Sequence, residues 1–534
     1  MYRYINLNGQ YGVGQNFKMS YPTAQAVMDQ MDRLGIWQTV MEYPPEANAL
    51  RRNQVLLEDI QKIPHWQERI IPSFQLDVSA VVQTDAMEKI VKMAESCRPC
   101  CFTLRPKNSR YRLRLADMPL EYVKHLDPVV FLDIAQLTGP SSADDLIYLA
   151  GQYPNMRFVI RQAMYSDYPF LFDVLHRTKN VYADNSRMHT RRALEIFIQF
   201  FGEDRLLFST DTKANNGAAM AAIAWADLTE EVKDKFRFGN FIHLFSDPAD
   251  RQKLTDNLKA IPNRVKNRFW TPFVERQQAP DTEIYDIHTH MGATGNDWYI
   301  YELTLPEQVA AFEKDMERFN IRKIVSSCSG MPHYTSNLEM EAACKGKEDR
   351  FKGYVRYNPL YSEKFSEEFL DACMSRGYFI GLKSLPAYMG TDIRDEKYEP
   401  MFRYAHEHDV PILLHCWDNQ NGLPRYCAEA AAKWPKAQVI LGHTGGGDKG
   451  RADCEAIARE PGHDNLWFEF CGSFTTDRDW EETLKSIDYR RVLYGTDACL
   501  HDIAFEMGRL LSMDLPDEQL EAILGGNAKR LFGF

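Results

Sequence analysis

The chain has 534 residues, of which 44% are hydrophobic and 12% aromatic, so it is long enough for two large domains that each bury a core. Its formal net charge is −12 and it contains no run of five basic residues, which argues against a nucleic-acid partner. The N-terminal segment lacks an apolar core of signal-peptide length and no membrane-spanning apolar run follows, so we expect a cytoplasmic protein without a membrane partner.

The two halves of the chain match each other in sequence. VMDQMDRLGIWQTVM matches AFEKDMERFNIRKIV, and YPNMRFVI matches WPKAQVIL. DRLLFSTDT matches RRVLYGTDA, and LTEEVKDKFRFGNFIHLF matches LPDEQLEAILGGNAKRLF. These pairs align Met31 with Met316, Pro154 with Pro435, Asp211 with Asp497, and Asn240 with Asn527. Four matches in the same order with nearly the same spacing predict a tandem duplication.

Each copy has the length of a (β/α)₈ barrel, about 250 residues. Short apolar runs such as RKIVSSC, VPILLHC and RVLYGTD alternate with amphipathic helical stretches such as LPEQVAAFEKDMERFN. This alternation favours a parallel sheet, so we predict an α/β protein of two tandem (β/α)₈ TIM-like barrels. The predicted domains are 1–261 and 283–534, with 262–282 as a polar connection that carries three prolines.

One cluster of cysteines stands in the first copy. Cys97, Cys100 and Cys101 lie in SCRPCCF, whereas the other cysteines are scattered singly. A structural zinc site would need a second Cys or His pair at suitable spacing, and none is present. We therefore expect reduced, buried thiols.

The strongest local motif is IYDIHTH at 284–290 in the second copy. On a strand, Asp286, His288 and His290 project from the same face. Two imidazoles side by side can bind one divalent cation, although paired histidines also occur on solvated strands. The motif alone leaves both interpretations open.

Three further polar residues favour the metal site. His415 ends the run VPILLHC, His443 ends AQVILGH, and Asp497 ends RVLYGTD. Each lies where a predicted strand meets the following loop, which is the end of barrel strands that carries active sites. Four histidines and an aspartate placed in this way predict a metal centre.

These motifs resemble those of the amidohydrolase superfamily. DIHTH, a strand-end histidine, GHTGG and YGTDA are similar to the branch that holds aminocarboxymuconate-semialdehyde decarboxylase, resorcylate decarboxylase and several lactone hydrolases. The resemblance covers 281–534 with specific motifs and 1–250 more faintly. It implies a mononuclear, usually zinc, centre with His288, His290, His415 and Asp497 as ligands. His443 would then serve as proton shuttle or hydrogen-bond donor beside the metal-bound water.

The predicted reaction is hydrolysis of a small carbonyl substrate by a metal-activated water, with a lactone or ester ahead of an amide. Asp497 would serve as ligand and base in turn. The alternative is a metal-dependent non-oxidative decarboxylase of a small carboxylic acid, and a third interpretation is a metal-holding binding protein. One divalent ion is expected, with Zn²⁺ favoured and Mn²⁺ compatible with the ligands. A homo-oligomer is also compatible with the sequence.

Substrate-binding candidates follow other predicted strands. Lys383 could be carbamylated and bridge two metals, but we favour an ion-paired or substrate-facing lysine. Arg356 could hold a carboxylate. The remaining candidates lie in predicted loops after strands: Trp417, His501, His333, Tyr388 and Asn419.

The first copy has lost the motif residues. Asn8 and Gln10 stand opposite the two motif histidines, and amides bind zinc poorly. The other predicted counterparts are Gln162 for His443, Asp133 or Leu132 for His415, Arg105 for Lys383 and Asp211 for Asp497. Only Asp211 keeps its ligand chemistry, so we predict a metal-free barrel. We favour a scaffold over a barrel that keeps its own pocket or lends a loop to the active site.

Overall fold

The computed structural model describes residues 1–13, 21–45, 48–139, 141–210, 216–292, 302, 304–328, 334–418, 421–472 and 477–534. It divides into two compact units, Met1–Val265 and Lys266–Phe534. The boundary falls inside the predicted connection 262–282. The helix Trp270–Arg276 belongs to the second unit, where the Asn267 side chain donates to the backbone oxygen of Leu511 at 2.9 Å. Most of the predicted connection is therefore part of the second unit.

The first unit is a sheet of eight parallel strands in sequential order, nearly closed into a barrel. Its strands are β1 (Ile5–Gln10), β2 (Gln38–Glu42), β3 (Ile70–Leu76), β4 (Cys101–Leu104), β5 (Val129–Asp133), β6 (Arg157–Arg161), β7 (Val181–Asp184) and β8 (Leu206–Leu207). The longer helices are Ala24–Leu34, Ala49–Ile60, Ala86–Glu95, Asp117–Val123, Ser142–Gln152, Tyr168–Arg177, Ala193–Phe201, Asn216–Trp225 and Pro248–Asn257.

The second unit repeats this architecture, which confirms the predicted pair of (β/α)₈ barrels. Its strands are β9 (Ile284–Met291), β10 (Ile321–Cys328), β11 (Phe351–Arg356), β12 (Phe379–Ser384), β13 (Ile412–Leu414), β14 (Val439–Leu441), β15 (Leu466–Phe470) and β16 (Val492–Tyr494). The longer helices are Trp270–Arg276, Leu305–Arg318, Tyr334–Ala343, Glu367–Met374, Glu399–His408, Pro424–Ala432, Asp448–Ile457, Asp477–Thr483 and Ile503–Leu511.

Local sequence explains how these elements form. The helix Leu305–Arg318 begins with a capping box, in which the Thr304 side chain accepts from the Glu307 backbone and Glu307 bonds back to the cap. Phe312 and Met316, four residues apart, lie on its buried face. The strands are buried along nearly their whole length, as expected when helices cover one side of a parallel sheet and side chains fill the other.

Hydrogen bonds at equivalent positions show the duplication in three dimensions. Asn180 and Asn465 each donate from Nδ2 to three backbone oxygens between a helix end and the next strand. Asn240 and Asn527 each donate to two backbone oxygens around the last strand of their barrel. Because buried backbone groups need partners, both copies keep the same amide at the same place.

The strand register corrects one predicted pair of counterparts. Thr103 pairs with Phe131 in the first barrel, and Lys383 pairs with Leu413 at the equivalent position of the second. The counterpart of Lys383 is therefore Thr103, and the prediction of Arg105 is wrong. Strand β4 is short, and a slip of two residues leaves every side chain on the same face, so the sequence pattern does not fix this register.

The hydrophobicity of the helices and the state of the cysteines can be compared with the sequence predictions. Within the residues that the structure describes, no helix is long and apolar enough to cross a bilayer. All eleven cysteines are free, and ten are buried while Cys97 is partly buried. Within SCRPCCF, Cys100 and Cys101 are buried as expected, whereas Cys97 is only partly buried.

Candidate metal centre

Three of the four predicted ligands come together at the carboxyl end of the second barrel. His288 and His290 point inward from β9, and Asp497 follows β16 in a left-handed backbone conformation with φ 62°. Asp497 Oδ1 lies 3.5 Å from His288 Nε2 and 3.0 Å from His290 Nε2. The ligand atoms of these three residues all lie within 4.8 Å of one another, a cluster that one divalent ion could join.

Glu469, on β15, fixes the orientation of His288. Its carboxylate oxygens lie 2.7 and 2.9 Å from His288 Nδ1, and one of them accepts from the backbone N–H of His443 at 2.9 Å. A carboxylate that holds Nδ1–H leaves the Nε2 lone pair free for a cation. Sequence reasoning missed Glu469, although a single acid in the apolar strand LWFEF was the available signal.

A glycine permits this packing. A side chain at Gly495 would place its Cβ 2.6 Å from the Cβ of His288 and 2.8 Å from a carboxylate oxygen of Glu469. Both distances are shorter than van der Waals contact, so a larger residue would separate the histidine from its carboxylate. The G of YGTDA is thus required by the histidine–carboxylate pair.

The contacts of Lys383 show that the two histidines can accept a positively charged group. Its ammonium contacts Nε2 of His288 and lies 3.3 Å from Nε2 of His290, and the side chain is fully buried. Both Nε2 lone pairs therefore already face one positively charged group. Imidazole and carboxylate donors that converge in this way fit a divalent metal. The position is compatible with either predicted state of Lys383, free or carbamylated.

His415 is placed beside His443. Its Nδ1 lies 3.1 Å from His443 Nε2, and its ring stacks on Trp417 at 5.6 Å with an angle of 8°. Its ligand atoms are outside the 4.8 Å cluster formed by His288, His290 and Asp497. The role of His415 as fourth ligand stays a prediction.

Burial and neighbouring charges set the protonation of the centre. Burial lowers the pKa of His288 to about 3 and that of His443 to about 4, so both imidazoles are neutral. Burial alone would raise the pKa of Asp497, but its hydrogen bond to His290 and the nearby imidazoles hold that pKa well below its usual range. Neutral histidines and an ionised aspartate are the forms that bind metals.

The predicted substrate residues occupy different places. Arg356 and Trp417 lie at the same barrel end as the predicted ligands, and Tyr388, 74% exposed, lies 5.0 Å from the His415 ring. His501 lies behind Asp497, with Nε2 4.0 Å from the carboxylate and Nδ1 3.2 Å from the carboxylate of Glu506. His333 and Asn419 fall outside the described residues, as does Asp211.

The equivalent end of the first barrel contains ion pairs. Arg161 donates from Nε to Asp133 at 2.8 Å, from Nη2 to Glu42 at 2.6 Å and from Nη1 to the backbone oxygen of Leu7 at 2.9 Å. Arg105 lies 3.0 Å from Glu42. In the part of the first barrel that the structure describes, no three His, Cys, Asp or Glu side chains form a metal-binding cluster.

One acidic position is shared by the two barrels. Asp184 accepts from the backbone N–H of Gln162 at 2.8 Å, as Glu469 does from His443. Gln162 and His443 both have left-handed backbones, with φ of 65° and 56°. Asp184 thus retains the acid of Glu469, a residue outside the predicted ligand set.

Comparison with known proteins gives one family match, which covers the second barrel. Residues 285–534 match the family model described as Amidohydrolase. The chain has no match among the curated proteins.

Similar solved structures cover about half of this chain. The 2,6-dihydroxybenzoate decarboxylase from Rhizobium is 17% identical and covers 47% of this chain and 99% of its own, with a TM-score of 0.39. A putative amidohydrolase from Staphylococcus aureus is 16% identical, with coverages of 47% and 100% and a TM-score of 0.37. The 5-carboxyvanillate decarboxylase from Sphingomonas paucimobilis is 12% identical, with coverages of 48% and 100% and a TM-score of 0.37.

Proposed function

We propose that the second barrel, an amidohydrolase domain over residues 285–534, is a divalent-metal-dependent enzyme that hydrolyses a small carbonyl compound. A lactone or ester is the preferred substrate, ahead of an amide. One observation carries the proposal: Nε2 of His288, Nε2 of His290 and Oδ1 of Asp497 converge at the barrel end that carries active sites.

These three side chains would hold the metal, with His415 as the predicted fourth ligand. The donor set suits Zn²⁺ or Mn²⁺. When bound, such an ion would polarise the substrate carbonyl and lower the pKa of water. Glu469 keeps the His288 ring in the orientation that points Nε2 into the site.

His443 is the proposed proton acceptor. Its imidazole is buried and neutral, and a neutral imidazole can take a proton from water at Nε2. His415 Nδ1 lies 3.1 Å from that atom, so in the tautomers in which both facing nitrogens lack hydrogen the two rings can share the transferred proton. Trp417, stacked on His415, keeps the second ring in place.

Non-oxidative decarboxylation of a small carboxylic acid is the second candidate. It is favoured by Arg356, a buried guanidinium at the same barrel end that could hold a carboxylate. The same histidines would serve either reaction, so the residues of the metal centre do not separate the two.

Isotope labelling separates them. The metal-loaded protein is incubated with a panel of lactones, esters and small carboxylic acids in water carrying ¹⁸O and deuterium. Hydrolysis places ¹⁸O in the product acid, whereas decarboxylation places deuterium on the carbon that lost CO₂. We expect ¹⁸O incorporation that disappears in Asp497→Asn. A protein that binds metal at His288 and His290 but turns over neither class would contradict the proposal and support a binding protein.

A further inference from the structure

A cavity of about 220 Å³ lies at the amino end of the first barrel, where β2, β3 and β4 begin. Its lining combines polar and apolar side chains from these strand starts and from the helix Pro248–Asn257, among them Gln38, Pro72, Ser96, Cys97, Lys253 and Leu254. All of these residues lie in the described ranges. The cavity is at the opposite end of its barrel from the loops that follow the strands, and it shares no residue with the candidate metal centre.

The second barrel has a tyrosine ring at the equivalent place. Five residues before the counterparts Thr103 and Lys383 stand Arg98 and Tyr378, respectively. The Tyr378 side chain is 1% exposed and packs on Gly353, where an added Cβ would lie 2.3 Å from the ring. The second copy therefore fills this space with its own side chain.

In the first copy, the side chain of Arg98 turns away to an ion pair. Its Nη2 lies 3.3 Å from a carboxylate oxygen of Asp247 and 2.7 Å from one of Asp250. Exchange of a buried ring for an arginine paired elsewhere leaves the cavity in the first barrel. The cavity is thus a feature in which the two copies of the duplicated unit have diverged.

Cys97 gives the cavity a reactive atom. Of the eleven cysteines of the chain, all of them described, ten are buried and Cys97 alone is partly exposed. Its Sγ lies 3.6 Å from Oγ of Ser96, and the neighbouring Lys253 ammonium donates to the backbone oxygen of Arg98 at 2.5 Å. Burial raises the pKa of the Cys97 thiol, while Ser96 and Lys253 act in the opposite direction. A mostly protonated thiol attacks slowly, so selective reaction needs a reagent that the cavity binds.

Gln38 is a second, independent indication of a ligand. Its side chain is 1% exposed, and Nε2 donates to the backbone oxygen of Glu68 at 3.0 Å. Its Oε1 is buried and accepts no hydrogen bond from any residue that the structure describes. Buried acceptors are nearly always paired in folded proteins, so a donor on a bound molecule would complete this one. An ammonium group carries such donors, and the Lys253 ammonium suits a carboxylate.

We propose that Cys97 is a modification site that forms a mixed disulfide with a small thiol carrying both an ammonium and a carboxylate, a thiol of the cysteine class. Pockets for drug-sized ligands measure roughly 300–1,000 Å³, so a cavity of this size suits an amino acid. The inference concerns the first barrel and does not depend on the proposed function of the second.

The co-reactant is the symmetrical disulfide of that thiol. The Cys97 thiolate attacks one of its two sulfurs, and the new S–S bond forms as the old one breaks. The other half leaves as a thiolate and takes up the proton that Cys97 has lost. Cys97 is oxidised and one half of the reagent is reduced, so no further oxidant is needed.

The test compares three disulfides on the full chain. Cystine carries ammonium and carboxylate groups, cystamine only ammonium groups, and 3,3′-dithiodipropionate only carboxylates. Adduct formation is followed by intact-mass spectrometry in the absence of oxygen, and peptide mapping locates the modified cysteine. Each rate is divided by the rate of the same reagent with N-acetylcysteine, which removes the difference in intrinsic reactivity. Wild type is compared with Cys97→Ser and Cys100→Ser.

We expect one adduct per chain, at Cys97, that a reducing agent removes. It should be absent in Cys97→Ser and unchanged in Cys100→Ser. The normalised rate with cystine should exceed that with either other reagent by roughly tenfold, because each of them lacks one charge-assisted hydrogen bond. Modification of another cysteine, equal normalised rates for the three reagents, or a Cys97–Cys100 disulfide in place of the adduct would overturn the proposal.

Two variants of the lining assign the two charges. Gln38→Leu should abolish the preference for cystine over 3,3′-dithiodipropionate, and Lys253→Gln the preference for cystine over cystamine. These ratios are taken within one variant, so a change in the reactivity of the thiol cancels. Lys529→Gln, an exposed lysine of the second barrel, is the matched control and should keep both preferences. Lys253 is exposed, so its variant should fold even if Gln38→Leu does not, and a full preference over cystamine in Lys253→Gln would refute the carboxylate contact.

Discussion

The centres of the two barrels carry charge in different ways. In the first barrel Arg161 joins β1, β2, β5 and β6 through contacts to Leu7, Glu42 and Asp133. In the second barrel the corresponding strands present His288, His290 and His415 to a shared space. In the first barrel, the charge of Arg161 is balanced by neighbouring carboxylates. In the second barrel, the Nε2 lone pairs of His288 and His290 face the ammonium of Lys383.

The two barrels share one fold, although among the described residues only the second has a central cluster of possible metal ligands. In the first barrel, the buried Arg161 guanidinium and two carboxylates satisfy one another and link four strands. The scaffold hydrogen bonds of Asn180 and Asn240 are kept at Asn465 and Asn527. The candidate ligands and these scaffold hydrogen bonds therefore belong to separate residues.

The largest expected effect is on catalysis in the second barrel. Asp497→Asn removes the carboxylate that faces both histidines and should lower kcat/KM by about 10³-fold, with loss of bound metal. Turnover and metal content of the purified variant check this. The control is Asp184→Asn in the first barrel, which should keep both. Exhaustive chelation of wild type should reproduce the loss, and activity that survives chelation would contradict the metal centre.

The next effect is on the stability of the first barrel. Arg161→Met leaves Glu42 and Asp133 with only part of their counter-charge and should cost about 3–5 kcal/mol of unfolding free energy. Denaturant unfolding measures the change, and metal content should stay at the wild-type level. Arg161→Lys, which keeps the charge, should lose less. A cost below about 1 kcal/mol would mean that the cluster does not stabilise the barrel.

Sequence patterns predicted the duplication, the barrel fold and the cluster of His288, His290 and Asp497. Strand period and strand-end position determine these, since both are local properties of the chain. Glu469 escaped because its role depends on His288, which is distant in sequence and adjacent only in the closed barrel. The counterpart of Lys383 was misplaced because a two-residue slip preserves the alternation of faces. The position of the domain boundary within 262–282 depends on packing that composition does not encode.

Asp184 gives the first barrel a pH dependence. Burial raises the pKa of its carboxyl to about 6, against hydrogen bonds from Gln162 and Ser186, whereas the unfolded chain titrates near the ordinary value of about 3.9. Between these two pKa values the folded state binds more protons at Asp184 than the unfolded state does. The contribution of Asp184 to the free energy of unfolding therefore falls as pH rises from about 4 to about 6. About two pKa units correspond to about 3 kcal/mol.

Asp184→Asn tests this linkage. Asparagine does not titrate, so the stability difference between wild type and variant should shift in favour of the variant across the same pH window. Denaturant unfolding at a series of pH values measures it, and activity at neutral pH should be unchanged in the variant. A difference that stays constant from about pH 4 to 6 would show that the buried carboxyl titrates normally.

The smallest expected effect is on metal affinity, and it distinguishes Glu469 from its counterpart in the first barrel, Asp184. Glu469→Gln keeps the shape of the side chain and still accepts a hydrogen bond from His288. It removes the negative charge that makes the His288 imidazole a stronger electron-pair donor to a metal. Metal affinity should fall by about 10- to 100-fold, as measured by competition with a chromophoric chelator. At saturating metal kcat should recover, because Glu469 acts through His288. Asp184→Asn, the matched change in the first barrel, should leave metal affinity unchanged. Equal affinities in wild type and Glu469→Gln would mean that the histidine is oriented by packing alone, with Gly495 as the determining residue.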